Sequence, residues 1–179
     1  MVVETTRFGS IDVGENDVIS FPEGMLGFSR INQYVLIEQE DESLFLWLQA
    51  VKKASVAFPL LEPQIFQANY RVELAEEDRK TLQLENLKHA KVFAIITIPS
   101  DPTKMTANLK APIVINLKKR IGSQVILHLA DYPIRTSIYS ELQQHCAMSR
   151  RTIFSESDEP VYHTIPITEE FETRTAHSV

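Results

Sequence analysis

Apolar residues in this chain fall in short runs separated by turn-forming residues, and the longest such pattern lies at 106–129. Ile113, Val114, Ile115 and Leu117 form one run, residues 118–123 interrupt it with three cations and Gly122, and Val125, Ile126, Leu127 and Leu129 resume it. Two β-branched runs divided by a short charged, glycine-containing link predict an antiparallel hairpin. Runs with so few polar positions predict strands covered on both faces, or curled so that one face lines a barrel.

The same reading extends along the rest of the chain. Residues 2–7 read as a strand with a turn at 8–10, and 17–21 as a second strand ended by Pro22 and Gly24. Next, Met25, Leu26 and Phe28 surround Gly27 in a pattern of neither strand nor helix; these side chains either fold back over the core or are displayed. Further strands are expected at 34–38, 44–51, 54–61 and 91–98, with Pro59 marking its run as an edge strand or a bulge. Trp47, between apolar neighbours, is expected in the core. Tyr70, Val72 and Leu74 alternate at period two and predict a strand within 64–74. Residues 75–86 predict a helix, with Glu76, Glu77 and Asp78 in the first turn and Lys88 near the end, as the macrodipole favours. Ile138, Leu142 and Cys146, four apart, predict a second helix at 137–148.

The fold class is therefore mainly β: a small antiparallel β-barrel with one or two short helices. Residues 1–148 are expected to form the barrel domain and 149–179 an acidic C-terminal extension with the texture of a flexible, solvated tail. Within that extension, residues 161–168 either add a strand or dock.

Composition sharpens the picture in two places. The formal net charge is −6, but it is unevenly spread. From Ser155 onward there are six acids and one base, Arg174, which leaves a body with 18 acids and 17 bases. A nearly neutral body disfavours direct nucleic-acid binding, whose footprint is a basic excess. Lys118, Lys119 and Arg120 read more simply as a solvated hairpin tip; a nucleic-acid-binding barrel of OB-like character using them with Arg150 and Arg151 is the rival reading. A single cysteine, Cys146, fits a reducing compartment. No apolar stretch approaches membrane-spanning length, and Glu4 and Arg7 stand where a signal peptide needs an apolar core. A cytoplasmic protein without membrane contact is expected, monomeric when free.

Signs of catalysis are few. His89, His128, His145, His163 and His177 are scattered, with no pair at metal-ligand spacing. Phosphate-binding glycine loops, nucleophile elbows and paired cysteines are missing. Asp12, Glu15 and Asp17 lack the spacing of a calcium loop. His128 is expected to be half-buried and satisfied, and Cys146 to be a small buried thiol. No enzymatic activity, cofactor or metal is expected.

Four segments, taken together, resemble one family. ISFPEGMLGF (19–28), LFLWLQAV (44–51), FAIITIPSDPTKMTANLKAPIVIN (93–116) and GSQVILHLADYPIR (122–135) are similar, in order, to blocks of the flagellar assembly factor FliW family. Met25 replaces the usual Leu there and Ala50 a common Ser. The resemblance implies a small non-catalytic β-barrel with two partners. One is newly made flagellin. The other is CsrA, the carbon storage regulator that represses flagellin translation. It implies partner exchange, in which flagellin occupies the protein until it is exported and the freed protein then captures CsrA. Partner-binding residues are expected at Met25, Leu26 and Phe28 and at Asn108, Lys110, Pro112 and Asn116. The polar residues of the second group either satisfy local backbone groups or aim amides at a partner's main chain. Pro112 leaves a gap in its ladder and so suggests an exposed edge. Glu38, Glu40, Asp41 and Glu42 read either as a solvated turn or as a steering patch for a basic partner. The acidic tail is a candidate mimic of a charged ligand that tempers binding.

Overall fold

Alternation of buried side chains decides the architecture. Along β4 (Gln33–Gln39), Tyr34 and Leu36 point into one apolar cluster while Val35 and Ile37 point into another. Likewise Ile113 and Ile115 of β8 (Thr106–Asn116) join the first cluster and Val114 a third. Strands with apolar residues on both faces require cover on both faces. The computed structural model, which describes residues 1–39, 43–128, 130–149, 151–154 and 161–167, supplies it by closing a sheet on itself.

The remaining ring strands are β3 (Val18–Ser20), β5 (Leu46–Ala50), β6 (Ala57–Leu61), β7 (Ala90–Thr97) and β9 (Ile121–Gln124). The ring order is β8, β7, β6, β5, β4, β3, β9 and back to β8. A ring of purely antiparallel neighbours needs an even number of strands, so seven strands force one parallel junction. It falls between β3 and β9, at Ser20 and Ile121, with the Ser20 N–H donating to the Arg120 carbonyl at 2.8 Å. All other junctions of the ring are antiparallel, which bears out the expected barrel with one qualification at its seam.

Inside the ring sit Ile19, Phe21, Tyr34, Leu36, Leu48, Leu60, Phe93, Ile113 and Ile115, all fully buried. Each such side chain contributes roughly 1.5–3 kcal/mol. One outer face is covered by α1 (Glu76–Leu82), α2 (Tyr139–Ser149) and the connecting segments, which bury Leu82, Leu84, Ile138 and Leu142. The other is covered by a hairpin of β1 (Val2–Thr5) and β2 (Gly9–Asp12), which buries Val3, Phe8 and Ile11. A two-residue strand, β10 (Thr136–Ser137), extends the sheet beyond β8.

Several expectations are corrected. Residues 2–7 do not form one strand: the turn falls at 6–8, where the Phe8 N–H donates to the Thr5 hydroxyl at 2.8 Å, and a second strand follows at once. Tyr70 and Leu74 are buried and alternate as expected, but residues 70–75 join no ladder. They form an extended arm instead, tied by the Tyr70 hydroxyl to the Leu109 carbonyl at 2.7 Å. Pro59 lies on an interior strand, opposite Trp47. Pairing of β6 with β7 begins only at Leu60, so its missing N–H removes no ladder bond on that side. Trp47 is only half-buried, and its ring carries the Arg7 guanidinium at 4.2 Å. The central hairpin exists, but its second strand is Ile121–Gln124, so Gly122 belongs to that strand and not to the link, and the apolar run expected there begins only after the strand has ended, at Val125. The turn is made by residues 117–120, with Arg120 at φ +53°. Gly122 is required there by contact: a Cβ would lie 2.4 Å from the Phe21 ring. Pro112 is buried in a gap of the β7–β8 ladder, where Phe93 pairs with Ile113 and Ile95 with Asn108, not on an outer edge. His128 is exposed and outside any strand.

Residues 161–167 take the first of their two options. Tyr162–Thr164 form β11, antiparallel to β4, and Ile165 and Ile167 enter the barrel cluster at 2% and 4% exposure. Two buried isoleucines and a three-residue ladder offset the cost of ordering this segment's backbone.

Candidate functional site

The loop after β3 is built to divide its apolar residues between core and surface. The Gly24 N–H donates to the Phe21 carbonyl at 2.9 Å, and Gly24 adopts φ +68° with no room for a Cβ, which would lie 2.6 Å from the Phe28 carbonyl oxygen. The Phe28 N–H then donates to the Met25 carbonyl at 2.7 Å, and the Ile31 N–H to the Phe28 carbonyl at 3.0 Å. This double turn drives Met25 into the barrel, at 2% exposure, and leaves Leu26 at 56% and Phe28 at 38%. The Phe28 ring stands edge-on to Phe58 with centroids 5.4 Å apart. Leu26 is fixed through its main chain: its N–H donates to Gln124 Oε1 at 3.0 Å, and Gln124 Nε2 donates to the Ala111 carbonyl at 3.2 Å. Ile126, two residues beyond Gln124, is exposed between the buried Val125 and Leu127. The result is a preformed apolar rim of Leu26 and Phe28 backed by the partly buried Phe58, with Ile126 exposed two residues along from the Gln124 that holds Leu26. Such exposed groups mark interaction surfaces more often than core.

The second expected group is placed differently. In β8 the residues 109–112 bow away from β7, and their main chain bonds elsewhere. Leu127 N–H donates to the Lys110 carbonyl and Val125 N–H to the Pro112 carbonyl, both at 2.9 Å, and Leu109 N–H to the Pro133 carbonyl at 3.2 Å. Asn108 Oδ1 accepts from the N–H groups of Lys110 and Ala111 at 3.1 and 3.0 Å, shaping this bow. Lys110 Nζ donates to the Ala130 carbonyl at 2.8 Å. Asn116 is buried. Its Nδ2 donates to the Leu82 and Gln83 carbonyls at 2.8 and 3.1 Å, satisfying the C-terminus of α1, and its Oδ1 accepts from Lys119 N–H at 3.2 Å. The bow and the rim are joined through Gln124. Met25, Leu26 and Phe28 thus lie on one side of a hydrogen-bonded unit whose other side is Asn108, Lys110 and Pro112, with Asn116 apart beneath α1.

The charged candidates are scattered. Lys118 and Lys119 are exposed at the hairpin tip, while Arg120 donates to Asn16 Oδ1 at 2.7 Å. Of the acidic run, Glu40, Asp41 and Glu42 lie outside the described residues, as do Arg150 and the tail beyond 167. Glu38 meets His163 Nε2 at 2.8 Å. Cys146 is half-buried, with burial pushing its thiol pKa up against the opposing pull of Arg151. Its neighbour His145 is pushed down, by burial and then by Arg151. Among the described residues no three histidines, cysteines or carboxylates come together at metal-binding distance, and no helix is long and apolar enough to cross a membrane. A cleft of about 290 Å³ opens beside Arg7, Trp47, Phe45, Phe154 and Tyr162, residues that take no part in the rim.

Sequence reasoning missed Gln124, Phe58 and Ile126. Only Ile126 carried a signal, since an outward apolar residue between two inward ones is legible once the strand's phase is known.

Fold and rim together define a small closed β-barrel with a rigidly mounted apolar loop. Comparison with known proteins narrows this class. The model of the family described as "FliW protein" matches residues 2–138. The chain is 41% identical over 144 residues to the flagellar assembly factor FliW of Bdellovibrio bacteriovorus, covering 80% of this chain and 82% of that protein. It is 40% identical over 145 residues to the flagellar assembly factor FliW of Ruminiclostridium cellulolyticum, covering 80% and 98%. A crystal structure of the flagellar assembly factor FliW superimposes with a TM-score of 0.73 at 32% identity, covering 78% of this chain and 97% of that one. This chain belongs to the FliW family.

Proposed function

We propose that this chain acts in flagellar assembly by holding newly made flagellin and, once flagellin has been exported, by capturing CsrA and so relieving repression of flagellin synthesis. Membership of a family whose relatives are named flagellar assembly factors is the observation that carries this reading. The preformed rim supports it physically. An amphipathic terminal segment of unassembled flagellin exposes an apolar stripe, and Leu26, Phe28, Phe58 and Ile126 offer a counterpart by the helix-in-groove mode. The rim is mounted by hydrogen bonds before any partner arrives, so little ordering cost falls on this side of the interface.

Exchange needs no catalysis. It requires that the two partners disfavour each other on the barrel and that their affinities be comparable at cellular concentrations. Acidic residues around Glu38 would speed encounter with a basic partner through the association rate. The test is co-purification of this protein with flagellin and with CsrA from the same organism, separately and in competition. Capture of each alone, and release of CsrA by added flagellin, is the expected result. Binding of neither would end the proposal, and a mobility shift of flagellin leader RNA without CsrA would favour the nucleic-acid reading instead.

A further inference from the structure

β4 is longer than its neighbour on one side. β5 pairs with Tyr34–Ile37 on one edge, while on the other β3 covers only Gln33, Tyr34 and Val35. The remainder of that edge, Ile37 to Gln39, is covered by β11, which lies beyond the last residue of the family match at 138. The contact is more than a ladder. Ile165 N–H donates to the Leu36 carbonyl at 2.9 Å and Ile167 N–H to the Asn16 carbonyl at 3.3 Å. Both isoleucines sit in the barrel cluster with Ile19, Tyr34 and Leu36. The Thr164 hydroxyl donates to Asp17 Oδ2, a carboxylate of a buried residue that also accepts the Gly14 N–H at 2.7 Å. Tyr162 stacks edge-on to Phe8, with centroids 4.9 Å apart.

We propose that this edge of β4, with Asp17 and the two apolar slots, is a strand-accepting peptide site, and that residues 162–167 are its tethered ligand. The site takes an extended polypeptide segment that places a Ser or Thr at Asp17, followed by aliphatic residues one and three positions later, as in Thr164, Ile165 and Ile167. Main-chain hydrogen bonds to a strand edge supply affinity for any extended chain, and slots for alternate side chains supply selectivity. Asp17 adds a polar requirement, because a buried carboxylate stripped of one donor is costly. A helix cannot meet the main-chain demand, because its N–H and C=O groups are already bonded within it.

The covalent tether sets how hard the occupant is to displace. A short tether holds its ligand at an effective concentration of roughly 1 mM. A second chain with the same contacts therefore enters when it is itself concentrated, or when it binds elsewhere on the barrel as well. The three-residue ladder makes exchange feasible in a way that an integral barrel strand would not be. The site uses none of the rim residues, so it stands whether or not flagellin binds there.

The test uses the full chain with a protease recognition sequence inserted between Glu156 and Ser157. After cleavage, size-exclusion chromatography and native mass spectrometry follow the C-terminal fragment, and circular dichroism follows the barrel. The fragment is expected to stay bound at high protein concentration and to leave on dilution with the barrel still folded. A synthetic peptide of residues 160–168 is expected to displace it, and the same peptide carrying Ile165→Asp and Ile167→Asp to compete at least tenfold less well. Retention of the fragment under excess peptide, collapse of the barrel on its loss, or equal competition by the two peptides would each overturn the proposal.

Discussion

Gln124 bridges two segments that the chain keeps far apart: its Oε1 holds the N–H of Leu26, 98 residues away, while its Nε2 holds the Ala111 carbonyl. One side chain therefore couples the displayed loop to the bow in β8. A partially exposed pair of hydrogen bonds of this kind is worth about 1 kcal/mol. Gln124→Ala is expected to lower stability by about that amount in urea titrations. It is also expected to weaken flagellin binding more than its stability loss explains, because Leu26 is no longer held. Gln124→Glu keeps the acceptor for Leu26 and loses the donor to Ala111, and should fall between the two. Equal binding by all three proteins would show that the mounting of Leu26 is irrelevant.

Leu26→Asp tests the rim directly. The side chain is mostly in water, so folding stability should shift by less than about 0.5 kcal/mol. Flagellin affinity, read by isothermal titration, should drop at least tenfold. Met25→Asp is the contrast, since that residue points inward, and it should damage folding first.

Gly122→Ala should destabilise the barrel by about 1–3 kcal/mol, the usual penalty for overpacking a filled core. The new methyl would lie 2.4 Å from the Phe21 ring. Phe21→Leu should cost stability alone, yet recover part of the loss when combined with Gly122→Ala. Strict additivity in that double-mutant cycle would contradict the contact.

Asn116 makes a further case, in which a buried amide serves the fold. Asn116→Ala leaves the Leu82 and Gln83 carbonyls without their donor, and each buried orphan costs about 1–3 kcal/mol. A loss of about 2–3 kcal/mol is expected, with hydrogen exchange accelerating first in α1. Unchanged protection of α1 would place those carbonyls elsewhere.

Two buried tyrosines should separate under mutation and under alkali. The Tyr70 hydroxyl donates to Leu109, whereas the Tyr34 hydroxyl is buried with no partner among the described residues. Tyr70→Phe is therefore expected to destabilise by about 1–3 kcal/mol, and Tyr34→Phe to be neutral or stabilising. Burial pushes the Tyr34 phenol up to about 12, and burial followed by the nearby Tyr132 pushes that of Tyr70 up as well. In the unfolded chain both ionise near 10. Their stabilisation is thus complete below pH 10 and is lost as pH rises from there through 12. Urea midpoints at pH 8, 10 and 11 should fall in that order, less steeply in Tyr34→Phe.

Much of the barrel is legible in the sequence because period-two burial is a local signal. Continuous short apolar runs carry the same local information where both faces are covered: residues 34–38, 91–97 and 113–116 show them, and each lies in a strand. The split of the 25–28 loop was legible only as two alternatives, since Gly24 and Gly27 announce a turn without saying which side chain it turns inward. What could not be read depends on distant partners. The amide of Gln124 and the carboxylate of Asp17 look like ordinary surface groups until Leu26 and Thr164 are brought to them. Tyr70, Val72 and Leu74 show the converse: their alternation is real, but a strand also needs a free neighbouring edge, and the arm is held by side-chain hydrogen bonds instead, from the Tyr70 hydroxyl to the Leu109 carbonyl and from the Arg71 N–H to the Tyr132 hydroxyl.

The parallel seam at Ser20 and Ile121 has a consequence for how the protein is made. Every other joint of the ring links segments close in sequence or already aligned, whereas this one closes a loop of about a hundred residues. Such closures are slow because chain entropy is lost before contacts repay it. On the ribosome the growing polypeptide therefore carries an unfinished cylinder, with β3 bare along one side, until Ile121 has emerged. Chaperone binding to nascent chains should peak in that interval and end with it.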